Sequence, residues 1–315
     1  MKKFAIGLSP LNYYDNDLEA FDAFCKRNDY RIAHWYSALP CTWKSKGIDF
    51  KSLREQKKNL KKQLDIIADN NQKLQLAINV DIPNRFVRFF YYIEMILYKL
   101  FYEKHKKVDS IVCRAEYIPF LKKLFPYATF TYSIQNDFAK TKLKNLEYCD
   151  TIVIGRRYVK NLKFMEMVKK KYHVKIELLL NCACNFACNY HCFDGSCESS
   201  QQKMVDINGI DHCVAWQSLI PSELDLYPKG LVDLYKLSTR PSSLGWMETE
   251  MDLYSSDKSL SELDFNYHVP KFWRHICCTT SISDAVTKNI PDVEKVLEIK
   301  SNIWTKLLGH DVKVY

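Results

Sequence analysis

Five cysteines crowd into one short stretch, Cys182, Cys184, Cys188, Cys192 and Cys197 of NCACNFACNYHCFDGSC. Thiolates gathered this tightly serve as soft metal ligands far more often than as packing. Further thiols follow at Cys213, in DHCVAW, and at the pair Cys277 and Cys278. A structural zinc site usually shows CxxC half-sites, and the chain has none. Iron–sulfur clusters tolerate wider spacing and distant ligands. Cys184 and Cys188 with later thiols therefore point first to an iron–sulfur cluster, with zinc and a metal-free loop as alternatives.

The elements that would carry this loop alternate along the chain. Candidate strands are 4–8, 31–36, 74–80, 110–114, 129–133, 151–155, 176–180 and 231–237, with helical patterns near 17–27, 51–70, 85–105, 116–125, 139–149 and 159–173. Eight strands separated mostly by single helices imply parallel βαβ units, and eight is the number that closes a (β/α)8 TIM-type barrel. A doubly wound open sheet is the alternative, weakened by the lack of a GxGxxG turn after the first strand. The expected organisation is an α/β barrel over 1–255, with a cysteine-rich insertion at 182–229 after strand seven. A C-terminal extension, 256–315, would pack on it. The loop would then lie at the C-terminal mouth, where barrel enzymes place their chemistry.

The segment FVRFFYYIEMILYKLFY, 86–102, is amphipathic. Phe86, Phe89, Ile93, Ile96, Leu97 and Leu100 share one face, expected to be the buried one. Arg88, Tyr91, Tyr92, Tyr98, Lys99 and Tyr102 share the other, expected to be wet. A membrane-surface or subunit contact is the alternative for this helix.

Composition narrows the function classes. The 315 residues carry a formal charge of +9, but the lysines are spread over several helical patterns. That suits solvated helix surfaces better than a nucleic-acid stripe, so nucleic acid is not the favoured partner. The N-terminal apolar run before Pro10 is too short for a signal-peptide core, and no stretch has the length of a membrane span. Twelve cysteines in that context imply a reducing, cytoplasmic setting in which thiols bind metals or stay free.

Polar residues fall at or just past strand ends, at Arg114, Ser133, Asn136, Asp137, Arg156, Arg157, Asn181, Lys236 and Arg240. Arg156 or Arg157 with Lys236 and Arg240 could hold an anionic substrate, with Asn136 beside them. The plainer reading pairs each cation with a nearby carboxylate. Glu177 alternates with Leu178 on strand seven and would point into the barrel. Buried there it must be paired, with Lys175 and Lys236 as candidates. His191 is a candidate ligand or proton donor, or a surface histidine without a role. His34 beside Trp35 reads as a packed, hydrogen-bonded residue. Cys25, Cys113 and Cys149 read as core packing, and Cys41 as a lower-ranked ligand.

Two resemblances follow from the motifs. CNFACNYHC is similar to the radical-SAM CxxxCxxC motif, but its second interval is one residue too long. IELLLNCACNFACNYH resembles the signature of the collagenase-like peptidase family (peptidase family U-thirty-two). TYSIQND (131–137), IVIGRRYVKNLKFM (152–165) and VDLYKLSTR (232–240) resemble that family's other motifs, in the same order. The family implies a TIM-type barrel. In its oxygen-independent hydroxylating members, which act on ubiquinone precursors and RNA, it implies a 4Fe–4S cluster held by four cysteines. On that resemblance Asn181, Cys184 and Cys188 match the motif, and Cys213 matches a later cysteine. The fourth ligand would be Cys277 or Cys278, or else Cys192 or Cys197. Catalytic candidates are His191, Asn181 and Glu177. Peptidase activity is not expected, because neither HExxH nor a nucleophile dyad is present. The leading expectation is an iron–sulfur barrel oxidoreductase or hydroxylase acting on an anionic small or polymer-linked substrate, with an electron-transfer or protein partner. The alternatives are a radical-SAM-like enzyme and a metal-stapled barrel that binds RNA or protein without catalysis.

Overall fold

Short runs rich in β-branched and aromatic residues extend because such side chains fit a pleated, crowded surface. In the computed structural model, eight of them form strands: β1 (Phe4–Leu8), β2 (Ile32–Ala38), β3 (Leu74–Ile78), β4 (Ser110–Cys113), β5 (Thr129–Ile134), β6 (Thr151–Ile154), β7 (Lys175–Leu179) and β8 (Leu234–Lys236). All neighbours are parallel, and β8 pairs with β1, closing the barrel in chain order. Among the described residues six α-helices lie between or after them: α1 (Leu18–Arg27), α2 (Phe50–Asp69), α3 (Arg85–Glu103), α4 (Ile118–Leu124), α5 (Leu162–Tyr172) and α6 (Leu244–Ser255). The structure describes residues 1–8, 17–38, 50–78, 85–134, 147–154, 159, 162–180, 224, 227–237 and 244–255. The insertion and the C-terminal extension expected at 182–229 and 256–315 lie mostly or wholly outside these, as does most of the helix expected at 139–149. The fold is the expected (β/α)8 TIM-type barrel.

Period-two alternation divides every strand between two environments. Phe4, Ile6, Trp35, Leu74, Leu76, Ile111, Phe130, Ile152, Ile176 and Leu178 face outward and join the helices in one buried apolar cluster. Each such side chain stabilises the fold by roughly 1.5–3 kcal/mol through burial. The intervening positions face the barrel interior and are far more polar.

One device recurs at three strand junctions, β3–β4, β5–β6 and β7–β8. Asp109, Asp150 and Asp233 immediately precede β4 and β6 or sit at the entry to β8, and each carboxylate accepts a backbone N–H of the preceding strand. The donors are Leu74 (2.9 Å), Phe130 (2.8 Å) and Ile176 (2.8 Å). The N–H of each aspartate donates back to the carbonyl of the same residue. These reciprocal pairs lock register at the N-terminal rim. Gly230, at φ +83°, makes the turn into β8, a conformation that suits a residue without Cβ. Arg27 closes the ring of helices with a two-pronged bond to Glu248 on α6, and Arg31 reaches Asp252 at 2.8 Å.

The orientation of α3 is the reverse of that expected. Ile93, Ile96, Leu97 and Leu100 are exposed, whereas Met95, Tyr98 and Tyr102 are buried. The reason lies in the hydroxyls. Tyr102 is hydrogen-bonded to Ser37 of β2 at 2.9 Å, and Tyr98 donates to the buried Glu94. Tyr92 stacks on Phe120 of α4 with ring centroids 4.1 Å apart. With their polar tips satisfied, tyrosines bury as readily as leucines. Cys25, Cys113 and Cys149 are free and buried, as expected of packing residues. Burial pushes the Cys25 and Cys149 thiols up to about 12 and Cys113 well above its ordinary range, which leaves all three inert.

Candidate active site

The inward positions of β1 are Ala5 and Gly7, and their small size sets what their neighbours can do. In register, Ala5 lies between His34 of β2 and Lys236 of β8, and Gly7 pairs with Tyr36. Tyr36 reaches past this gap, donating its hydroxyl to the carbonyl of Leu237 at 2.7 Å. Its ring lies under Lys236, with Nζ 4.2 Å from the centroid. That placement favours the cation on the ring face.

Lys236 also turns toward Glu177. The Glu177 side chain is wholly buried, with Oε1 3.5 Å from Lys236 Nζ and Oε2 3.9 Å from His34 Nε2. These are ion-pair distances, longer than hydrogen bonds. Neither carboxylate oxygen accepts a hydrogen bond, and His34 Nε2 makes none either. Buried polar atoms are nearly always hydrogen-bonded, so three unmet atoms facing one another make this the candidate site.

A fourth unmet atom lies next to them. Gln75 on β3 donates through Nε2 to Thr131 Oγ1 at 3.2 Å, while its Oε1 completes no hydrogen bond. Burial holds the His34 imidazole below its ordinary range. Glu177 opposes that shift, Lys236 adds to it, and the Gln75 side chain opposes it more weakly. The ring is therefore neutral at neutral pH. The interior presents a buried carboxylate, a neutral imidazole and an amide oxygen, with one ammonium balancing the carboxylate. Such a group can take hydrogen bonds from a hydroxyl or N–H of a bound molecule, or exchange a proton with it.

Of the residues expected at the site, the structure brings together Glu177 and Lys236. Glu177 points inward as expected, and its partner is Lys236; Lys175 is exposed at the start of β7. Lys236 thus has a carboxylate partner, the plainer of the two readings given for it. Arg114 likewise pairs with Glu116 at 3.1 Å. His34 is packed, as expected, and its Nε2 makes no hydrogen bond but faces the carboxylate. Gln75 and Tyr36 were not anticipated. Their signal was available in the alternation of β2 and β3, which puts His34, Tyr36 and Gln75 on one face.

Asn136, Arg156, Arg157, Asn181, Cys184, Cys188, His191, Cys192, Cys197, Cys213, Arg240, Cys277 and Cys278 lie outside the described residues. Among the described residues no cluster of three or more His, Cys, Asp or Glu side chains is arranged to hold a metal ion. No described helix is long and apolar enough to cross a membrane.

No family model matches the chain, and no curated protein matches it in sequence. Among solved structures it is similar to tryptophan synthase from M. tuberculosis, at 6% identity and TM-score 0.44, over 80% of this chain and 88% of that one. It is similar to the Haloferax volcanii malate synthase at 11% identity and TM-score 0.40, over 99% and 98%. It is also similar to the U32 peptidase Mk0906, at 10% identity and TM-score 0.37, over 58% and 70%. At these values the likeness to U32 peptidases is distant and bears on no activity. The site has to be read from its own residues.

Proposed function

We propose that this chain is a barrel enzyme that performs redox chemistry on an anionic, small or polymer-linked substrate. Proton handling would fall to Glu177, Lys236 and His34 inside the barrel, and electrons would leave through an iron–sulfur cluster on the cysteine-rich loop. The observation that supports this reading is the fully buried Glu177 carboxylate with both oxygens unmet. A carboxylate in that position is costly unless a ligand completes it.

The same strand links the two parts. β7 carries Glu177, and two residues beyond Leu180, whose N–H donates to the Lys236 carbonyl at 3.0 Å, the thiol-rich stretch begins at Cys182. The donor set suits iron and sulfide: soft thiolates in excess of four, with no CxxC pair. Cys184, Cys188 and Cys213 would hold the cluster, with Cys277 or Cys278 as fourth ligand and Cys192 or Cys197 in reserve. Asn181 and His191 would act with Glu177 on the substrate, and Arg156, Arg157, Arg240 and Asn136 would bind its anionic groups. When bound, such a cluster supplies one-electron redox or Lewis-acid chemistry. The chain's own part is to orient the substrate, to receive or return a proton at Glu177 Oε1 or Oε2, and to keep His34 neutral beside it. Oxygen-independent hydroxylation is the reaction class that best unites these parts, in a reducing, cytoplasmic setting. Water would supply the oxygen, Glu177 and His34 would take the protons, and the two electrons released would leave through the cluster to an electron-transfer partner.

Purification without oxygen, followed by iron and acid-labile sulfide analysis, tests this reading. The expected result is a coloured protein with both elements, lost in the Cys184→Ser/Cys188→Ser variant but kept in Glu177→Gln. Colourless protein, or protein holding only zinc, would overturn it.

A further inference from the structure

We propose that the outer face of α3 docks the protein onto an anionic lipid surface. Ile93 (41% exposed), Ile96 (45%), Leu97 (59%) and Leu100 (64%) form a continuous apolar stripe at i, i+3 and i+4 spacing, extended by Phe89. Scattered apolar residues on a surface need no explanation, whereas an unbroken stripe on one helix does. The opposite side of α3 is fully engaged: Tyr102 with β2, Tyr92 with Phe120, and Lys99 Nζ with the Leu124 carbonyl at 2.6 Å. The helix cannot roll to hide the stripe without breaking these contacts.

What surrounds the stripe identifies the occupant. Lys104 and Lys107 are exposed just past the C-terminal end of α3, and Lys122 and Lys123 are exposed on neighbouring α4. None of the four has a carboxylate partner among the described residues. Lys107 caps the ring of Tyr127 at 4.2 Å, and Lys122 lies 5.2 Å from the ring of Tyr148. Both tyrosines are about two-fifths exposed, at 41% and 42%. The acidic groups nearby are occupied: Glu103 by Lys99, Asp109 by Lys106 and Glu116 by Arg114. Glu147 is hydrogen-bonded to Tyr148.

An apolar helix face with exposed lysines just past its C-terminal end and on the adjoining helix is the composition that settles at a headgroup boundary. α3 is not long and apolar enough to span a bilayer, so the docking proposed is at its surface. A second copy fits less well. The exposed Lys104 and Lys107 lie just past the end of α3, so parallel self-packing brings like charges together. Anionic headgroups complement the lysines beyond its C-terminal end and on α4.

Flotation of the full chain with vesicles decides the matter. Protein should rise with vesicles of phosphatidylcholine mixed with phosphatidylglycerol, far less with phosphatidylcholine alone, and should release in high salt. Leu97→Glu/Leu100→Glu should abolish binding while leaving the circular dichroism spectrum and melting temperature unchanged, because both side chains are exposed. Lys104→Gln/Lys107→Gln should weaken it about fivefold per lysine. The proposal is overturned if wild type stays unbound, or if the double leucine variant binds equally well. It is also overturned if wild type forms a dimer that this variant abolishes, which would assign the face to a second copy.

Discussion

Two buried polar groups, three residues apart in sequence and on opposite sides of one sheet, behave in opposite ways. Gln72 lies outside the barrel and is completely satisfied. Its Oε1 accepts from Trp35 Nε1 at 2.7 Å, and its Nε2 donates to the Cys25 carbonyl at 3.0 Å and to Asp29 Oδ1 at 3.1 Å. Gln75 lies inside, keeps an unmet oxygen, and neighbours a carboxylate with two more. The first arrangement ties α1, β2 and β3 into one unit. The second stores unmet hydrogen bonding inside the barrel. Satisfied polar groups fix a fold, and unsatisfied ones are where a water or a ligand can be taken up.

Substitutions sharpen that contrast. Lys236→Met should have the largest effect, lowering stability by about 3–5 kcal/mol in urea unfolding, because Glu177 would remain buried without its cation. Gln72→Leu should follow, at about 2–3 kcal/mol, since Trp35 Nε1 and the Cys25 carbonyl lose their partner in a closed site. Glu177→Gln/Lys236→Met should then fall within about 1 kcal/mol of wild type, or above it, because a buried ion pair contributes little net stability. If the double variant proves as unstable as Lys236→Met alone, the pair is holding the barrel together and the distinction between the two regions fails.

The barrel was legible because each strand announces itself locally. Phe4–Leu8 is a short apolar run bounded by turn residues, and its limits were read correctly. β8 was read as starting at 231 but starts at Leu234, because Leu231 and Val232 are as apolar as the strand itself. The locking aspartates before β4 and β6 and at β8 were not recognised, since their role depends on a strand distant in sequence. The α3 error has the same origin: a tyrosine can face either way until its hydroxyl partner is known, and Ser37 lies far up the chain. Glu177 and Lys236 could be found from alternation at strand ends. His34 was set aside because a histidine beside a tryptophan looks packed, and only the closed barrel brings β2 opposite β7.

Acid provides the finest test of that closure. His34 is held below its ordinary value of 6.5 chiefly by burial, with Lys236 adding to the shift and Glu177 opposing it. Below about 6.5 the unfolded chain takes a proton at this residue that the folded protein refuses. Its contribution to stability is therefore fully present above that pH and is lost as pH falls toward the depressed folded value, by at most about 1.4 kcal/mol per unit. His34→Gln should flatten this part of the stability profile, measured as the urea midpoint at a series of pH values. Glu177→Gln should steepen it, because the charge that favours the imidazolium is gone. Gln72→Leu should shift the whole curve downward and leave its slope unchanged. A slope that responds to Gln72 but not to Glu177 would mean that the histidine senses the outer layer, and that the interior group does not act as one electrostatic unit.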